Sequence, residues 1–148
     1  KNRFRWYIIS AMEYKITDHT ADIGIEVRGD SLPDLFRNAA LALFDLMVFT
    51  DRIETVIEKN VTAAAEDPEA LLVAWLSELL YLFDTQALLV REAEIMTLDS
   101  NRIEARVRGE TFDRAKHRTK REIKAVTYHH LKIEKNNSHF TARIIFDL

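Results

Sequence analysis

Two short acidic segments, at opposite ends of the chain, hold the residue types from which a cation site can be built. They are Asp18-His19-Thr20-Ala21-Asp22-Ile23-Gly24-Ile25 and Phe146-Asp147-Leu148. A hard divalent cation takes oxygen ligands: carboxylates, backbone carbonyls and water. Asp22 and Asp147, with Asp18 nearby and the carbonyl or terminal carboxylate of Leu148, could supply them. Left without a cation, adjacent carboxylates repel one another. His19 could serve there as a ligand or a base, or as a hydrogen-bonded structural group. Such a site exists only if two segments separated by nearly the whole sequence become neighbours.

The elements that must bring them together can be read from periodicity. Residues 14–29 are strand-like: Ile23, Ile25 and Val27 alternate with Asp22, Gly24, Glu26 and Arg28, so Asp22 points away from the apolar face. Gly24 shares the face of Asp22 and lets a backbone or an ion approach. Ser31 then caps a helix with Pro33 and Asp34 in its first turn, whose apolar positions from Leu32 to Met47 have the spacing of one buried face. Residues 53–62 read as a strand. Asp67-Pro68-Glu69 opens a second helix, apolar almost all round from Leu71 to Phe83, which requires cover on more than one side. Strands follow at residues 88–98 and around Ile103, Ala105 and Val107, then a polar, basic connection over residues 109–120.

Residues 122–134 and 139–148 read as a hairpin around Asn136-Asn137. With those two residues as the turn, Ile133 faces Phe140, Leu131 faces Ala142, His129 faces Ile144 and Ala125 faces Leu148. The other face then carries Tyr128 opposite Ile145, Val126 opposite Asp147, and Lys124 diagonal to Asp147. His129 and His130, as adjacent strand residues, would point to opposite faces and form no metal pair. His117 lies in the basic run of residues 115–121, either a solvated loop or a phosphate- or partner-facing patch.

Composition narrows the class. A chain of 148 residues, 47% apolar and 30% charged with three Gly and two Pro, is expected to form one globular domain. The absence of Cys excludes disulfides, thiolate metal sites and Cys nucleophiles, and fits a cytoplasmic protein. The net charge of −3 conceals a basic start: beyond Lys1, Arg3 and Arg5 the chain has 18 basic and 24 acidic residues, a net of −6. A body so acidic is a poor candidate for tight direct nucleic-acid binding. Residues 1–11 are too short in their apolar run for a signal peptide or a membrane span and read as an extension ahead of Met12, with a basic-aromatic arm as the alternative. No phosphate-binding Gly-rich loop, dinucleotide fingerprint or nucleophile elbow is present. The expected fold is α+β, two helices packed on a mixed, mainly antiparallel sheet in a single domain.

Several of these motifs together resemble the archease family. The likeness rests on Asp18-His19-Thr20-Ala21-Asp22-Ile23-Gly24, on Gly29-Asp30-Ser31-Leu32 leading into Ala42-Leu43-Phe44, on Glu122-Ile123-Lys124-Ala125-Val126-Thr127-Tyr128-His129, and on the terminal Phe146-Asp147-Leu148. It runs over residues 12–148 and leaves out residues 1–11. The resemblance implies a protein activator, not a stand-alone enzyme. Its partner would be the GTP-dependent ligase that joins tRNA exon halves, whose guanylylation, multiple turnover and nucleotide range it would promote. It also implies a divalent-cation site, with calcium expected and Mg or Mn as alternatives, on Asp22, Asp147 and the Leu148 carbonyl, with Lys124 as the family's lysine. Asp18 and His19 are accessory candidates. The competing readings are a metal-dependent hydrolase using the same carboxylates, and a general chaperone of RNA-processing proteins.

Overall fold

The computed structural model describes residues 5–9, 12–17 and 22–148. The elements run β1 (Arg5–Ile9), β2 (Met12–Thr17), β3 (Asp22–Gly29), α1 (Leu32–Met47), a single 3-10 turn (Thr50–Arg52), β4 (Ile57–Ala64), α2 (Pro68–Gln86), β5 (Leu88–Leu98), β6 (Arg102–Thr111), β7 (Ala125–Thr127), β8 (Ile133–Asn136) and β9 (His139–Asp147). The α+β class holds, with two helices and antiparallel strands. The strands divide between two sheets, not one. The larger has the order β1-β2-β3-β9-β7, with β8 also on β9, and the smaller is β4-β6-β5. Every strand pairing described in them is antiparallel. The stretch read as one strand over residues 14–29 is two strands, β2 and β3, paired with each other.

Both helices start where local chemistry says they should. Ser31 Oγ accepts the Asp34 N–H at 3.2 Å and Asp67 Oδ1 accepts the Ala70 N–H at 2.7 Å, each with Pro in the first turn. The one buried face expected for α1 is too narrow a description. Residues 42–47 are buried all round, because α1 packs against β2, β3 and β9 of the larger sheet and against β5 of the smaller. Helix α2 is covered by the smaller sheet, by α1 and by β7, as its all-round apolarity required, and leaves only positions such as Tyr81 outside, 60% exposed. The fully buried Trp75 ties the helices together, its indole N–H donating to the Phe36 carbonyl at 2.9 Å.

Two glycines mark close approaches. A Cβ at Gly29 would stand 2.3 Å from the Leu35 nitrogen, where β3 turns against the start of α1. At Gly109 it would meet the Leu89 carbonyl oxygen at 1.7 Å, beside the shift of register between Val90 and Glu92. Among the described residues no helix is long and apolar enough to cross a membrane.

Candidate cation site at the paired ends of β3 and β9

Strand β3 lies between β2 and β9 in the middle of the larger sheet. Its buried positions, Ile23, Ile25 and Val27, face the helices, opposite Phe146, Ile144 and Ala142 of β9. Burying both rows fixes the pairing, since a slip of one residue would turn every apolar side chain outward. The outer face is set at the same time, and its last rung is Asp22 opposite Asp147. Asp22 and Asp147, read as ends that could become neighbours, are therefore cross-strand partners at one rung of one antiparallel pair. Asp22 is half-buried, Asp147 is exposed, and Leu148 follows at 41% exposure.

Directly opposed side chains on one face of an antiparallel pair have their Cβ atoms about 5 Å apart, and like charges so placed destabilise the pair. All the donors at this rung are oxygens, the chemistry of a hard cation. Among the described residues no group of three or more His, Cys, Asp or Glu is gathered to hold a metal. Asp18 and His19, the accessory candidates, lie outside the described residues. The donor set in view is thus two carboxylates with the oxygens of Leu148.

Strand β7 holds Asp147 from its other side, but not in the register expected. The turn of the final hairpin is at Asn137 and Ser138, with Asn136 opposite His139 and Ile133 opposite Ala142. Asn137 takes the left-handed φ of 53° that asparagine tolerates. The expected pairing was off by two residues at β8, a shift that keeps every side chain on its face and so escapes the apolar pattern. Between β8 and β7 the ladder then loses three residues to a turn in which Leu131 N–H bonds the Tyr128 carbonyl at 3.0 Å and His130 has φ 57°. An odd loss exchanges the faces. Ala125, not Val126, stands opposite Asp147, and Val126 stands opposite Phe146. Lys124 nonetheless touches Asp147, through the backbone: its N–H donates to the Asp147 carbonyl at 2.8 Å. The same turn takes His129 and His130 out of a strand and sets their rings 4.0 Å apart at the centroids, in place of the opposite faces expected.

The basic run after β6 is largely committed to internal contacts. His117 is buried, 2% exposed, with Nε2 2.8 Å from Glu110 Oε2 and Nδ1 accepting the Asp113 N–H at 2.9 Å. The backbone donor at Nδ1 puts the ring proton of the neutral imidazole on Nε2, toward Glu110. Lys116 Nζ bridges Glu110 and Glu54. The hydrogen bond from Lys116, then the Glu54 N–H, hold the Glu110 carboxyl down at about 2 against the opposing effect of burial, and the same pairing raises Lys116. The solvated-loop reading of His117 is therefore corrected. Asp45, 4% exposed within α1, accepts from the Tyr14 hydroxyl and pairs with Lys120 Nζ at 3.5 Å. Sequence reasoning passed over Glu110 and Asp45. An acid within the buried end of α1 was the one available signal for Asp45, and Glu110 follows a regular alternation with none.

Comparison with known proteins shows the family of the chain. The archease protein family model matches residues 14–148. The archease of Archaeoglobus fulgidus is 39% identical over 139 residues, covering 93% of this chain and all of that one. The archease of Pyrococcus abyssi is 42% identical over 121 residues, covering 80% and 85% of the two chains. Among solved structures, protein 1598 of Methanobacterium thermoautotrophicum superposes with a TM-score of 0.79 at 34% identity, covering 91% of this chain and 98% of that one. A Thermotoga maritima protein described as an archease and possible chaperone shares the fold, with a TM-score of 0.60 at 24% identity over 88% and 94% of the chains. On the family match and these relatives, the chain belongs to the archease family.

Proposed function

We propose that the chain activates a GTP-dependent RNA ligase that joins tRNA exon halves, acting through a divalent cation held by Asp22, Asp147 and the Leu148 carbonyl. The observation that supports this reading is the rung itself: two carboxylates from distant segments, opposed on the outer face of the sheet. Asp22 is held within an eight-pair ladder, and Asp147 is held on both sides, by Asp22 and by Ala125. The Lys124 N–H fixes the Asp147 carbonyl and so orients the residue that follows. Calcium, magnesium or manganese, when bound, would supply positive charge able to attract phosphate oxygens. The chain's own part is to present two anionic oxygens on a stiff strand end that can reach into a partner's active site. Lys124, exposed at the next position, adds a cation at the margin. An acidic body suits approach to a basic RNA-binding cleft, and the ligase reading carries a cytoplasmic location with it.

The test is multiple-turnover RNA ligation with the partner ligase and the Asp22→Ala or Asp147→Ala chain. Both variants keep the wild-type fold by circular dichroism and lose activation by roughly tenfold or more, the scale of losing a charge-assisted contact. Full activation by both variants sinks the reading. RNA cleavage by the protein alone with manganese would favour the hydrolase instead. Gains in ligase solubility that survive Asp22→Ala would favour the chaperone.

A further inference from the structure

Between the C-terminal ends of α1 and α2 and residues 119–123 lies a cleft of about 390 Å3, within the range of small-molecule sites. One wall is apolar, formed by Met47, Val48, Phe83 and Ile123. The other carries three consecutive donors, Thr119, Lys120 and Arg121. Two of them are held in place from behind. Lys120 Nζ is pinned between the Asp45 carboxylate at 3.5 Å and the Phe49 ring, 4.7 Å from its centroid. Arg121 Nη1 donates to the Leu46 carbonyl at 2.9 Å, at the C-terminal end of α1, and makes no ion pair among the described residues. An ammonium has three N–H groups and a guanidinium five, so each keeps donors beyond those anchors. Asp84 and Glu122, which also line the cleft, are exposed, and among the described residues neither has such an anchor.

We propose that this cleft binds a small phosphate monoester with an apolar body. The body lies on Met47, Val48, Phe83 and Ile123, and the dianionic phosphate meets Thr119, Lys120 and Arg121. Two cations and a hydroxyl suit a dianion better than a single carboxylate, and donors already anchored lose little freedom on binding. The proposal stands independently of the ligase reading, since neither Asp22 nor Asp147 lines the cleft.

The probe is 1-naphthyl phosphate, titrated into the full chain and followed by amide proton–nitrogen NMR. The expected result is saturable binding with shift changes centred on residues 47–48, 83–84 and 119–123. Inorganic phosphate and 1-naphthol, each reaching one wall only, bind about tenfold or more weakly. Thr119→Trp fills the cleft while keeping both cations, and weakens binding by about tenfold or more. Phe83→Trp fills it from the opposite wall and gives the same result if Thr119→Trp does not fold. Overturning results are the absence of saturable shifts at those residues, or undiminished binding by a folded cleft-filled variant.

Discussion

Glu110 gathers a backbone N–H, a lysine and a histidine around one carboxylate. Its ordinary value of 4.5 falls to about 2 in the fold, so the unfolded chain takes up the proton first as acid is added. Its stabilising contribution is complete above pH 4.5 and is lost as pH falls toward 2. Lys116, raised by the same pairing, contributes fully below 10.5 and loses its contribution as pH climbs past its raised value. Glu110→Gln should therefore flatten the acid limb of a melting-temperature profile between about pH 5 and pH 2. An acid limb unchanged from wild type would contradict the assignment. The network was not legible in the sequence, because Glu110 and His117 gain meaning only once the loop folds back on the end of β6. Asp22 and Asp147 were legible because alternation alone decides which face each one occupies.

At the scale of elements, what is local was readable and what is paired across the chain was less so. Ser31 and Asp67 cap their helices from within four residues, and both starts were expected. The end of α2 is different: Ala87 adopts φ 58°, a left-handed conformation that an L residue with a Cβ takes at a cost of about 1–2 kcal/mol. Glycine is the usual residue there. Ala87→Gly should raise stability by about 0.5–1 kcal/mol, after glycine's greater unfolded-state entropy is set against the relief. Chemical denaturation checks this, and a lower midpoint at unchanged slope would contradict it. The final hairpin shows why register was harder. A shift of two residues satisfied the apolar pattern equally well, and the turn at Tyr128–Leu131 that reset the faces has no glycine to announce it.

For the whole molecule, the division into two sheets was hidden because each strand's alternation describes its faces and not its neighbours. Helix α1 is the shared layer, which is why its last turns are buried on every side. Arg106 and Arg108 on the outer face of the smaller sheet are paired with Glu58, Glu92 and Glu94, so that face has little free charge. The net charge of −3 is therefore the property with long reach. If the chain binds the ligase proposed above and charge steers the encounter, added salt should slow association while leaving dissociation nearly unchanged, because screening acts mainly on the encounter. Stopped-flow mixing of the pair at rising salt separates the two rates. An association rate indifferent to salt would remove steering from the account.

The pairing of β3 with β9 also sets an order in time. A ribosome makes β3 early, yet the strand that covers its second edge is made more than a hundred residues later, beyond both helices and the whole smaller sheet. Closing so long a loop costs entropy that the hairpin of β5 and β6 does not have to meet. In refolding, amide protection should appear in β5 and β6 before it appears across β3 and β9, and pulse-labelled hydrogen exchange can time the two. Protection of β3 and β9 ahead of β5 and β6 would reverse the order. The rung that sets Asp22 opposite Asp147 then forms only late in folding, so a nascent or half-folded chain has not yet assembled that acidic corner.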